Sequence, residues 1–464
     1  MLMLARFLFQ KIDNAQIIVF RIFLGILIMA ECWGAILTGW VKKVFVDPAF
    51  TFTFFGFEWT QFLLGQTMYY YFVVLGILGL LIALGLFYRA SMLLFAIGWS
   101  IAYLMQKTHY NNHYYLLMLV CWIMVFIPAH RYLSLDVGRH PHMKSPYTCH
   151  WNRLLFIAQL LILYVFAAIA KIYPGWYTGQ YLHLRFGQSA HWFRQQLDWQ
   201  KMASLLENEH FALIVSWIGI GFDFLIIPLL LWRRTRVVAF VAALIFHLFN
   251  SITLQIGIFP YFALALSIFC FPPESIRKLF LPRKIPFKTI NQKPDTSPSR
   301  RQKAITLALS IYILWQVYLP LRHWFIPGDV LWTEEGHRLA WRMMLRTKSA
   351  TVQFWITDKH TGKKELVDLN KYLTRDQRHG MGAAPDMIWQ FAQHLKKQYR
   401  ENGKDIAIYV HAKVSINGSA YYDFINSETD LAHVKWGYFS HQDWILDPPE
   451  KLEKPSEGKL HRIY

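Results

Sequence analysis

Five ionisable side chains stand inside long apolar stretches of this chain: Glu31, Asp223, Lys171, His113 and His247. A charge in such a stretch is costly, so each is a candidate for chemistry. Lys171 as a free amine is a base, and imidazoles such as His113 and His247 can steady developing negative charge. Asn111 and Asn112 sit beside His113, and Asn250 and Ser251 follow His247. Each group also has a plainer reading. Lys171 closes an apolar run just before Pro174 and Trp176, where lysines snorkel to headgroups. His113 can cap its segment, His247 can bond a neighbouring carbonyl, and Glu31 and Asp223 can pair with nearby polar groups. No Gly-rich phosphate loop, HExxH or CxxC pair competes. His140-Pro-His142 has no carboxylate or Cys partner at useful spacing and reads as a surface loop, so no metal is expected. Asn417-Gly-Ser419 matches a glycosylation acceptor, a pattern short enough to recur by chance.

The elements that must position these groups follow from composition. The chain has 464 residues, 55% hydrophobic, 17% aromatic and 17% charged. A water-soluble protein this long carries about 25% charged residues. Abundant Phe, Tyr and Trp exclude a disordered chain. The net charge of +19 could suggest nucleic acid, but the basic residues cluster between apolar runs, which is the membrane-protein pattern and not a nucleic-acid surface. Spans are expected at 16–38, 69–88, 90–106, 113–129, 153–171, 211–232, 237–254, 257–271 and 304–324. The third, fourth, seventh and eighth are short. The first dozen residues resemble an interfacial helix, with no cleavable signal, and 282–303 reads as a polar loop. All four cysteines lie in or beside apolar runs and none follows Cys270, which argues against a disulfide framework in the C-terminal portion.

The fold class expected is a polytopic α-helical bundle of about 8–9 spans, residues 1–324, followed by an extracytoplasmic β-rich or α+β domain, residues 325–464. Its side follows from Lys and Arg in the loops. One set of segments holds Arg6, Lys11, Arg89, Arg131, Arg139, Lys144, Arg153, Arg233, Arg234 and Arg236, and ends in a 277–303 loop with nine Lys or Arg. The opposite set has scattered charges, so the first set is placed in the cytoplasm. His113, Lys171 and His247 then share the extracytoplasmic leaflet, where they can line one cavity. In the tail, 351–358 and 365–369 read as paired strands, 385–399 as a helix after Pro385, and 405–414 as a further strand.

Several segments look familiar in order. Lys107-Thr-His-Tyr-Asn-Asn-His-Tyr-Tyr-Leu116 resembles the Asn-Asn-His-x-Tyr-Leu segment of the vitamin K-dependent γ-glutamyl carboxylases. Phe126-Ile-Pro-Ala-His-Arg-Tyr-Leu-Ser-Leu-Asp136 is similar to that family's following segment, and Phe166-Ala-Ala-Ile-Ala-Lys-Ile-Tyr-Pro-Gly-Trp176 to its lysine segment. Phe246-His-Leu-Phe-Asn-Ser251, Ile256-Gly-Ile-Phe259 and Trp341-Arg-Met-Met-Leu345 resemble three later elements. The matches keep order across about residues 20–370.

The resemblance implies an enzyme that converts protein-bound Glu to γ-carboxyglutamate with reduced vitamin K (menaquinone or phylloquinone hydroquinone), O2 and CO2, releasing the vitamin's epoxide. Lys171 matches the base position, where burial disfavours the ammonium form, and His113 matches the family histidine. Asn112, His247, Asn250 and Phe259 match positions expected near the quinone or the Glu-containing polypeptide. Met343 and Met344 are expected to pack the quinone ring or its tail, or simply to fill a domain contact. The sequence departs from the animal enzymes at Ala170-Lys171, where they carry two lysines, and at Tyr173, Pro174 and Gly175, where they carry acidic residues. It also lacks a cysteine for an interdomain disulfide and is much shorter beyond Met343. A bacterial inner membrane fits these departures. The alternatives are a non-catalytic quinone- or lipid-binding protein or transporter on the same fold, and a quinone epoxidase without carboxylase activity. The oligomeric state is not legible.

Overall fold

The computed structural model describes residues 2–254, 257–287, 298–450 and 452. Ile256 and residues 288–297, part of the expected polar loop, lie outside them. Helix α1 spans Ala15–Leu37, α2 Thr67–Leu84, α3 Tyr88–Leu104, α4 Asn112–Phe126 and α5 Trp151–Ala170. Helix α6 is Gln180–Leu197, α7 Glu209–Leu231, α8 Arg236–Leu254, α9 Phe259–Ser267 and α10 Arg300–Leu321. With α6 set aside, these follow the nine expected spans in order. Six are long and apolar enough to cross a bilayer, while α3, α4 and α9 are shorter, which makes this a multi-pass membrane protein.

The elements end where local chemistry stops them. Gly85 takes φ 64° and closes α2. The Asn111 side chain accepts from Tyr114 N and caps α4. Pro174 cannot continue a helix, so α5 stops at Ala170 and Lys171 becomes its C-terminal cap. Helices α1 and α2 approach backbone to backbone. A Cβ on Gly25 would stand 2.6 Å from Gly79 O, so neither position takes a side chain without separating the pair. The short strands Lys11–Asp13 and Tyr147–Cys149 pair antiparallel at the opposite end from the site, where the buried Asp13 carboxylate lies 2.7 Å from Lys284 Nζ. The helix α6 was not expected. Its buried residues Tyr181, Leu182, Phe186, Ser189, Ala190 and Phe193 form one face of an amphipathic helix.

The C-terminal part is α+β. Strand β1 is Lys348–Asp358, β2 Lys364–Leu366, β3 Ile406–Ile416 and β4 Tyr422–Asp423, in the antiparallel order β2-β1-β3-β4. The central register runs from Lys348 opposite Ile416 to Asp358 opposite Ile406. Helices α11, Arg375–Gly382, and α12, Pro385–Glu401, cover one face, and Ile388, Phe391 and Leu395 meet Phe354, Ile356 and Ile408 in a separate core.

Candidate functional site

The ends of α4 and α5 meet the middles of α7 and α8 at one end of the bundle. Lys171 turns its side chain inward, and its amine is paired with the Asp223 carboxylate from α7. Both are buried, at 9% and 5% side-chain exposure. Trp176 places its ring 5.2 Å from the amine. The apolar surroundings expected for Lys171 are therefore incomplete: a carboxylate, not grease alone, faces the nitrogen. His247, from α8, has Nε2 3.1 Å from the Tyr164 hydroxyl and Nδ1 without a hydrogen-bond partner. The His113 ring lies flat on Phe259, centroids 3.9 Å apart and planes 17° from parallel, while His247 meets the same Phe259 edge-on at 5.8 Å.

These groups line one chamber. Lys171, Asp223, His113, His247, Tyr164, Trp176, Asn250, Phe259, Met343 and Met344 surround about 690 Å³ of space, its mouth included. Asn112 does not line it. Its amide nitrogen donates to Arg342 O at 3.2 Å, and its oxygen accepts from the Tyr110 hydroxyl at 2.9 Å. Asn112 instead holds the loop that carries the two methionines.

That loop, 334–345, is unusual in its backbone. Glu334, Leu339, Trp341 and Met344 all have φ between 51° and 64°, a region costing bulky L residues about 1–2 kcal/mol each. The surroundings hold it there. Leu339 N donates to Tyr110 Oη at 2.6 Å, and the Tyr173 hydroxyl donates to Leu345 O. Arg322 donates to Arg338 O, and the fully buried Trp341 ring packs 4.9 Å from Tyr115. Beyond the loop lies a larger cleft of about 1390 Å³ with its mouth, between the end of α10 and the C-terminal sheet domain. On its floor Asp386 Oδ2 is 2.7 Å from both Lys107 Nζ and Arg338 Nη1.

A family described as the HTTM domain matches residues 9–274, more than half of the chain. One described as the vitamin K-dependent gamma-carboxylase, lumenal domain, matches residues 301–451. The chain belongs to the vitamin K-dependent γ-carboxylase family. No solved structure matches it. A carboxylase-like membrane protein of this family is tied by its name to vitamin K, and the chamber can be tested against that molecule. Phe259, Met343 and Met344 offer a flat, polarizable apolar wall suited to a quinone ring. His247 Nδ1 is a buried polar atom lacking a partner, which an oxygen on that ring would supply. The residues present fit the group.

Sequence reasoning placed Lys171, His113, His247, Asn250, Phe259, Met343 and Met344 in one site, and all of them line the one chamber. It did not select Tyr164 or Trp176, and it counted Asp223 as a candidate, or as pairing with a nearby polar group, without naming Lys171 as its partner. Tyr164 was findable: it precedes Lys171 by two helical turns and so shares its face of α5.

Proposed function

We propose that this protein carboxylates Glu side chains of a polypeptide while oxygenating reduced vitamin K to its epoxide. The observation that carries this reading is the buried Lys171–Asp223 pair sharing a chamber with two imidazoles. Reduced vitamin K, with O2, supplies a base strong enough to remove a glutamyl γ-proton, and CO2 takes the resulting carbon centre.

The chain's own residues have three tasks. The Lys171–Asp223 pair has no net charge whether its shared proton sits on Nζ or on Oδ2. When that proton sits on Oδ2, Nζ is a free amine that can take one more proton, and the pair then becomes a cation; this is the uptake that starts the sequence. His113 and His247 supply hydrogen-bonding nitrogen at the wall where negative charge develops. Phe259, Met343 and Met344 position the ring, and the apolar part of the wall limits the water that would consume a strong base.

In this reading residues 1–324 carry the active site and 325–464 form a domain outside the cytoplasm. The Lys and Arg bias of the loops supports that orientation, and the location in this reading is a bacterial inner membrane. The quinone reaches the chamber from lipid. The polypeptide approaches from the domain side, through the cleft above the 334–345 loop.

The test is purified protein in lipid nanodiscs with the hydroquinone, O2, labelled bicarbonate and a Glu-containing peptide. Both epoxide and label in the peptide are expected from the parent, and neither from Lys171→Ala. Epoxide without peptide label would reduce the assignment to a quinone epoxidase. No epoxide from the parent would leave a binder or transporter on the same fold.

A further inference from the structure

The membrane anchors of this molecule are not confined to its spanning helices. Connectivity puts three segments at one end of the bundle: the loop after α1, the start of α2 and the end of α10. All three expose aromatic rings. The first carries Phe55, Trp59 and Phe62, the second Tyr70, and the third Trp324 and Phe325. Rings that are amphipathic or apolar, gathered at one depth, form the belt that sits among lipid headgroups.

The C-terminal domain joins this belt. Its loop 436–440 places Tyr438 against Phe55, ring centroids 4.8 Å apart. The next residue, Phe439, is 64% exposed, close to the 72% of Phe55. The exposure is built in. Buried Gln442 clasps the loop from inside, its amide nitrogen 3.0 Å from Gly437 O and 2.9 Å from Ser440 O, while Gly437 N donates to its oxygen at 3.3 Å. A loop fixed on three hydrogen bonds holds Phe439 outward, and exposed Lys435 flanks it. Single exposed apolar residues are ordinary on a protein surface. A rigid ring continuous with a lipid-facing belt is a different case, because the belt already fixes what lies beside it.

We propose that the 436–440 loop is a membrane-interface anchor: Tyr438 and Phe439 insert among lipid headgroups beside Phe55, Trp59 and Phe62. The partner is the bilayer itself, independent of which reaction the chamber performs. The anchor gives the domain a second hold on the membrane, far in sequence from α10. It also sets the mouth of the outer cleft, whose rim includes Phe55, Trp315 and Tyr438, at the level of the headgroups and not in bulk water.

The experiment uses the full chain in nanodiscs of 3:1 phosphatidylcholine and phosphatidylglycerol. A Cys149→Ser background removes the one native cysteine that is not buried. A fluorophore is attached at Phe439→Cys and, separately, at His360→Cys on the exposed turn between β1 and β2. Ser440→Cys serves if the Phe439→Cys protein fails to fold. The anchor predicts a label about 5–10 Å below the headgroup surface, quenched by nitroxide carried on the lipid and shielded from iodide. The label at position 360 should show the reverse. Equal iodide quenching at positions 439 and 360 overturns the proposal. So does protection of position 439 from both quenchers with a crosslinked dimer, which would make this face a protein contact.

Discussion

At the scale of single residues the central feature is a buried lysine and aspartate facing each other in a chamber they share with two imidazoles. Such a pair is poorly tolerant of losing one member, because the survivor stays buried and uncompensated. Asp223→Ala is therefore expected to destabilise the bundle by about 3–5 kcal/mol, read as loss of thermal stability in nanodiscs. Asp223→Asn keeps a hydrogen-bond partner for the amine and should fold, yet removes the pair's second basic position. Its epoxide formation should fall by about 10²–10⁴-fold, the range for a lost proton-transfer group; a rate within threefold of the parent would assign Asp223 a purely structural role. Lys171, His113 and His247 were legible because charge and imidazole are conspicuous in apolar spans. Their meeting was legible only in part. Nothing in the sequence says that Lys171 and Asp223, 52 residues apart, pair directly. Asn112 shows the opposite failure. It neighbours His113, but adjacent helix positions are turned about 100° from each other, so the two cannot share a wall. His113 took the chamber and Asn112 took the loop.

At the scale of elements, the 334–345 loop forms a partition between the inner chamber and the outer cleft. Four bulky residues with positive φ do not fold that way by local preference; external hydrogen bonds impose it. That is why the sequence, read for strands and helices, left this segment blank, although the tail's strands and helix stood near their expected places. Tyr110 is the best single test. Its hydroxyl accepts from Leu339 N and donates to Asn112, so Tyr110→Phe strands a donor and an acceptor at once. Stranding buried groups costs about 1–3 kcal/mol each. The loop and its methionines should loosen while the Lys171–Asp223 pair stays intact. The expected signature is a raised KM for the hydroquinone with kcat within about threefold, since an interaction lost equally in ground and transition states moves KM alone. A fall in kcat at unchanged KM would mean the loop acts on the chemistry directly. The helix α6 makes the same point about legibility from the other side. Its apolar face was periodic, but its Arg, His and Gln content hid it from a search for spans.

At the scale of the whole molecule, the C-terminal domain is held over the bundle by charges that have left water. Lys107 from the loop after α3 and Arg338 from the partition both grip Asp386 at the first turn of α12, where the helix N-terminus adds its own attraction for a carboxylate. Inside the domain Glu334 makes a second clasp, with Arg346 and Lys348. The two cations at each site hold these carboxyls down: Asp386 lies below its usual value of 3.8, and Glu334 is lowered from 4.5 to about 2. A carboxyl depressed on folding contributes stability that is complete above its unfolded value and lost as pH falls through the folded one. Both clasps are thus whole at neutral pH; the Glu334 contribution declines between about pH 4.5 and about pH 2, and that of Asp386 from about pH 3.8 downward. Distances between spin labels on α10 and on α12 should stay fixed from pH 7 to 5 and broaden below about 4. Asp386→Ala should bring the broadening to neutral pH, since it leaves Lys107 and Arg338 confronting each other with nothing between them, at a cost of about 3–5 kcal/mol. If that variant keeps the parent distance distribution at pH 7, the domain is held by apolar contact and by its lipid-facing loop, and the buried charges are passengers in the interface.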